Sequence, residues 1–205
     1  MKKIFWIFKK IPLTIIFLTL FMGTALLSGT HIEEISETWL QSLGFASTDL
    51  LELEWWRILT ALFITIGGAV FWRGVCLVGI LMGTMEWKFG TRKTLLAFFG
   101  IHAITLLLLS GIVFFLQAIH HPMGSIIAFS RDVGPSAGYF GVLGFLIVSS
   151  QKQYWRYILF GIIWGSVLVT LFIALQNTDS IAISAALAHC IAFPLGWMYG
   201  KKSVF

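Results

Sequence analysis

Apolar residues along this chain come in long runs with few interruptions, separated by short polar or charged stretches. A helix needs about 20 mostly apolar residues to cross a bilayer. Runs of that kind lie near residues 11–29, 64–85, 94–117, 136–151, 156–175 and 181–199, which predicts six membrane-spanning helices and an all-α fold. The fourth run is short and rich in glycine, the pattern of a helix surrounded by protein rather than lipid. Between the first two runs, Ile32, Ile35, Trp39, Leu40 and Leu43 recur at helical spacing with Glu33, Glu34 and Glu37 among them. That periodicity fits an amphipathic segment lying along a membrane surface, and equally a solvated loop with two helical turns.

Composition agrees with the pattern. Of the 205 residues, 58% are hydrophobic and 11% charged, against about 25% charged in a soluble domain. No linker, repeat or low-complexity tract divides the chain, so residues 1–205 read as one transmembrane domain. The N-terminal "MKKIFWIFKK" and its apolar run could pass for a signal peptide; with five further spans following, it reads as a retained first helix. Cys76 and Cys190 lie in apolar runs and offer neither a disulfide framework nor zinc spacing.

Charge then orients the spans. Lys2, Lys3, Lys9 and Lys10 precede span one, and Lys88, Arg92 and Lys93 separate spans two and three. Lys152 and Arg156 separate four and five, and Lys201 and Lys202 follow six. With six spans these places share one side and hold 11 of the 14 Lys and Arg, so the positive-inside rule makes both termini cytoplasmic. The loop at 30–56, external in this arrangement, holds six of the nine acidic residues. The net charge of +5 is therefore an orientation signal and no reason to expect nucleic acid.

Two polar residues fall inside apolar runs. Ser136 opens the fourth in "DVGPSAGYFGVLG", and His189 interrupts the sixth in "AISAALAHCIAFPLGWMYG". Ala188, Ala192, Gly196 and Gly200 repeat every four residues, and span four carries Gly134, Ala137, Gly138, Gly141 and Gly144; such small-residue faces let helices approach closely. Packed together, these helices would set Ser136 and His189 at similar depth near their outer ends, the minimum of a nucleophile–base pair. The same residues also fit plainer roles: Ser136 as a helix cap after Pro135, and His189 as a donor to a backbone carbonyl. His102 reads as a satisfied intramembrane histidine. Adjacent His120 and His121 lack a third ligand, so no metal is expected.

These motifs resemble the rhomboid intramembrane serine proteases. "GPSAGYFGVLG" is similar to the family's Gly-x-Ser-Gly helix start, and "AHCIAFPLG" to its Ala-His-x-x-Gly-x-x-x-Gly helix, here with Ala192 and Gly196. "WWRILTALF", with Trp56 and Arg57, resembles the entry to the second helix; "GTMEWKFGTRK", with Glu86 and Gly90, resembles the exit. The four stand in family order from Trp56 to Gly196, with Ser136 and His189 separated by 53 residues. The resemblance implies a six-helix fold, a site open to external water, a Ser136–His189 dyad and no cofactor. It also implies that Phe140 packs beneath His189. The partners would be transmembrane segments of other proteins within a lipid bilayer, in a bacterial cytoplasmic membrane.

The chain departs from that pattern around the oxyanion. Where the family's second helix carries a His and an Asn donor, this chain has Val70 and Gly74, and a further family histidine falls on Thr65. Pro135 has no N–H, and Ala137 and Ala192 replace glycines. Loss of one oxyanion donor typically costs about 100- to 1000-fold in rate. Arg73, within about 60° of position 70 around the helix, is a candidate substitute unless it snorkels outward. The residues therefore leave two functions open: a serine endopeptidase, favoured by the retained dyad, and a pseudoprotease that binds transmembrane clients, favoured by Pro135, Val70 and Gly74. A small transporter has little support, since no inverted repeat is visible.

Overall fold

The computed structural model describes residues 9–149 and 153–204, and the chain is all-helical over them. Lys2, Lys3 and Lys152 lie outside the described residues. The principal helices are α1 (Pro12–Ser28), α2 (Glu37–Leu43), α3 (Ala69–Phe89), α4 (Thr91–Ala118), α5 (Pro122–Ala128), α6 (Ser136–Val148), α7 (Gln153–Asn177) and α8 (Ser180–Val204). Four of them, α3, α4, α7 and α8, are long and apolar enough to cross a membrane, which marks the chain as a multi-pass helical membrane protein. The sequence pattern predicts six. The other two runs form shorter apolar helices, α1 with 17 residues and α6 with 13. At 1.5 Å per residue α6 is about 20 Å long, short of the roughly 30 Å hydrocarbon layer.

The second run begins later than its hydropathy predicts, at Ala69 rather than near residue 64. Gly67 and Gly68 adopt φ of 103° and 55°, a left-handed conformation that glycine takes without penalty. The kink lets Ile66 accept from the Ile35 N–H at 2.8 Å and Gly68 donate to Thr30 at 2.9 Å. Apolar Ile64 and Ile66 thus belong to a tight loop against the 30–36 segment. Of the amphipathic segment, only Glu37–Leu43 is helical, and none of its residues is buried.

The motif residues fix the ends of helices. Glu86, 1% exposed, accepts from the Leu13 N–H at 2.9 Å, the Thr14 N–H and hydroxyl at 2.8 Å each, and the Thr91 hydroxyl at 2.8 Å. It satisfies the open N–H groups at the start of α1, where the helix dipole also favours negative charge. Gly90, with φ of 81°, ends α3. Trp56 is exposed and precedes a helical turn, Arg57–Thr60. Arg57 reaches Glu54 and the Gln41 carbonyl and stands 3.8 Å from Asp49, folding the 37–57 loop on itself.

Helix α6 is the axis of the molecule, with nine of its 13 residues buried. It packs chiefly on α8 and also meets α3 and α4. The approach is too close for side chains: a Cβ at Gly196 would overlap the Gly141 carbonyl, and one at Gly144 would overlap the Phe193 carbonyl. A Cβ on Gly141 would stand 2.7 Å from Ile101, and one on Gly138 would stand 3.1 Å from Phe98. Gly138 and Gly141 thus turn their Cα faces to α4, while Gly144, Gly196 and fully buried Ala192 serve the α6–α8 seam. By contrast α7 buries only Val167 and Ala174 and lies on the outside.

Candidate functional site

The segment before α6 is held by its backbone. Phe45 and Asp132 exchange both hydrogen bonds of an antiparallel pair, at 3.0 and 2.7 Å, and the Gly134 N–H donates to the Ala61 carbonyl at 2.7 Å. Gly134 does so with φ of 112°, a conformation strained for any residue with a Cβ. Pro135 follows as the residue preceding the helix, and its carbonyl accepts from the Tyr139 N–H at 3.0 Å. Ser136 is the first helical residue, and its hydroxyl caps nothing. The helix-cap role that the sequence allowed is therefore not the one Ser136 plays: Pro135 takes the cap position, which leaves the hydroxyl free.

Ser136 and His189 line one cavity of about 120 Å³. Helix α8 begins nine residues before His189, about 13 Å along the axis. His189 is therefore well inside α8 and not at its outer end, as the sequence pattern alone suggested. Ser136, the first residue of α6, reaches the same cavity from its helix start. The imidazole stacks on Phe140, with ring centroids 4.2 Å apart and planes at 23°. Its buried Nε2 has no hydrogen-bond partner among the described residues. It bonds neither a backbone carbonyl nor Ser136. A serine and an unpartnered imidazole thus share a pocket without a formed hydrogen bond, and catalytic hydrogen bonds are often long before substrate arrives.

Every position weighed for the oxyanion lines this cavity: Thr65, Val70, Arg73, Gly74, Gly134 and Pro135. Val70 and Gly74 bring no side-chain donor to it. Arg73 lines the cavity and is also exposed, so it stands at the mouth, and it makes no ion pair among the described residues. The side chains with donors on the cavity lining, apart from Ser136 and His189, are Arg73, Thr65 and Tyr139, and they come from separate elements rather than from two turns of one helix.

Sequence reasoning overlooked Asp132 and Tyr139, which also line this cavity. Nothing in the hydropathy pattern separates Asp132 from an ordinary loop acid; only its backbone pairing with Phe45, 87 residues away in sequence, brings it there. Outside the cavity, His102 Nε2 meets the Ile58 carbonyl at 2.9 Å, while Nδ1 has no partner among the described residues, so this histidine is only half satisfied. His121 Nδ1 accepts from the Met123 N–H at 3.2 Å, a local turn contact. Asp49, Glu52 and Glu54 come close enough to share a cation. Arg131, 2.9 Å from Asp49, and Arg57 already supply the positive charge there. Comparison with family models, curated proteins and solved structures finds no match to this chain.

Proposed function

We propose that this chain is a rhomboid-type intramembrane serine endopeptidase that cuts transmembrane segments of other membrane proteins. The observation that carries the reading is the shared cavity: Ser136, free of any capping role, and His189, with an unpartnered Nε2 over Phe140, face the same small space. In this reading His189 takes the Ser136 proton as the hydroxyl oxygen attacks the peptide carbonyl carbon. The tetrahedral intermediate then expels the amine, to which His189 returns the proton, leaving an acyl-Ser136 ester. Water, deprotonated by His189, hydrolyses the ester and restores the hydroxyl. The six runs act as six spans, α1 and α6 included, with both termini cytoplasmic as the Lys and Arg placement argues. The compartment would be a bacterial cytoplasmic membrane.

A second reading is favoured by a specific observation. Val70, Gly74 and Pro135 occupy the cavity wall without supplying a donor, which suits a pseudoprotease that binds transmembrane clients and leaves them intact. A fluorophosphonate probe on the detergent-solubilised protein separates the two. Labelling that disappears in Ser136→Ala and falls sharply in His189→Ala is expected of the protease. A wild-type protein that resists labelling while still capturing helix-destabilised transmembrane peptides would replace the first reading with the second.

A further inference from the structure

The cavity contains an ionisable group that the dyad does not use. Asp132 precedes Ser136 by four residues and lines the same cavity, its backbone fixed by two bonds to Phe45. Its carboxyl has no ion pair among the described residues. The cation beside it in sequence is committed elsewhere: Arg131 bonds Asp49 at 2.9 Å, the Gly44 carbonyl at 3.0 Å and the Gln41 side chain at 2.6 Å. Arg57, near the same loop, is engaged by Glu54. The other titratable or charged groups facing the cavity are Arg73 from α3, Tyr139 from α6 and His189 from α8.

We infer that Asp132 is a specificity-determining residue, whose carboxylate receives the cationic side chain of a Lys or Arg carried by the bound transmembrane segment. This inference rests on the client-binding character shared by both readings above, and holds for either. A half-buried carboxylate without a cation is an acceptor looking for donors, and an ammonium offers charge and three donors at once. The remaining wall suits the stem of such a side chain, since Ile66, Val70, Ile181 and Ala185 are apolar, and long basic side chains lie along apolar surface behind a polar tip. The volume of about 120 Å³ admits one side chain but not a helix, whose diameter is about 10 Å or more. Arg73 forms no ion pair with Asp132, so the carboxylate is left to an incoming cation.

The carboxyl is also held at a cost. Burial pushes Asp132 up to about 6 from 3.8, partly offset by its bond to the Val133 backbone. The sign is that of an acid with a raised folded value: the unfolded chain ionises first, so stability falls as pH rises from about 4 to about 6 and the loss persists above. An unpaired acid that weakens the fold at neutral pH, in a cavity beside a serine and a histidine, is the pattern of a functional group.

The test uses the full-length protein in detergent micelles and three single-span peptides with the same helix-destabilised centre. They differ at one residue within a turn of its external side, which is Lys, Gln or Glu, and Kd is measured for each. The Lys peptide is expected to bind about tenfold or more tightly than the Gln peptide, the scale of a hydrogen bond to a charged group, and the Glu peptide more weakly than either. In Asp132→Asn, which keeps the backbone pairing and the shape, Lys and Gln should become equal; in Asp132→Lys the order should reverse in favour of Glu. The Lys preference in wild type should fade as pH falls below about 6. Equal binding of Lys and Gln by wild type, or a Lys preference that survives in Asp132→Asn, overturns the assignment of Asp132 alone. Failure of all three peptides to bind wild type overturns the client-binding reading itself.

Discussion

Val70 and Gly74 face the cavity one helical turn apart and neither can donate a hydrogen bond through its side chain. A Cβ added at Gly74 would lie 3.5 Å from the Phe21 ring, ordinary contact, so the backbone there accepts a residue with a Cβ. Val70 is already more than a third exposed. The double variant Val70→His, Gly74→Asn tests whether donors at these positions matter. If the chain is a protease, the variant should raise turnover of a helix-destabilised substrate, with each well-placed donor worth up to about 100- to 1000-fold. If the chain only binds clients, the double variant stays silent, and activity appears only when Pro135→Ala restores the missing amide. Robust wild-type cleavage unchanged by Arg73→Leu would remove Arg73 from any part in charge stabilisation. These residues were legible in sequence as departures from a pattern; that all of them line one cavity with Ser136 was not.

At the scale of elements, the seam between α6 and α8 decides whether the site exists. Gly144 and Gly196 meet backbone atoms of the facing helix, which cannot rotate aside as a side chain can. Gly144→Leu and Gly196→Val should each destabilise by at least the upper end of the about 1–3 kcal/mol that overpacking costs. They should also abolish probe labelling and client binding by pushing His189 away from Ser136. Gly161 on α7 has open space around its Cα, and Gly161→Ala should be neutral or stabilising by up to about 1 kcal/mol through helix propensity. Thermal unfolding followed in detergent distinguishes the three variants. Equal effects at Gly161 and Gly196 would mean that packing space does not control stability here. The same element logic explains α1, a 17-residue helix whose first turn depends on a carboxylate from α3. Its length was legible from hydropathy, but the Glu86 clasp was not, because a lone acid in an apolar run carries no record of its partners.

For the whole molecule, the four spanning helices and two shorter ones leave orientation to the charges. Reporter fusions after Lys202 are expected to read cytoplasmic, and fusions within residues 31–54 external. A cytoplasmic reading for the 31–54 loop would remove the six-span arrangement and turn Ser136 away from external water. Helix α6, about 20 Å long, begins at Ser136, and the short helix α5 and residues 129–135 lead into it.

The sequence by itself determined that this is a helical membrane protein, where most of its apolar helices run, and which two polar residues interrupt them. Those properties are local: transfer of about 20 apolar residues into lipid and the satisfaction of backbone groups within one helix leave their mark on contiguous residues. Only the tertiary structure decided that α3 starts after Gly67 and Gly68, that Ser136 is not a cap, that Arg73 faces the cavity and that Asp132 stands in it. Each depends on contacts between residues far apart in the chain, such as Phe45 with Asp132, Thr30 with Gly68 and Ala61 with Gly134. A cavity is the space that several elements fail to fill, so its chemistry is set by their packing and leaves no period or composition in any one of them.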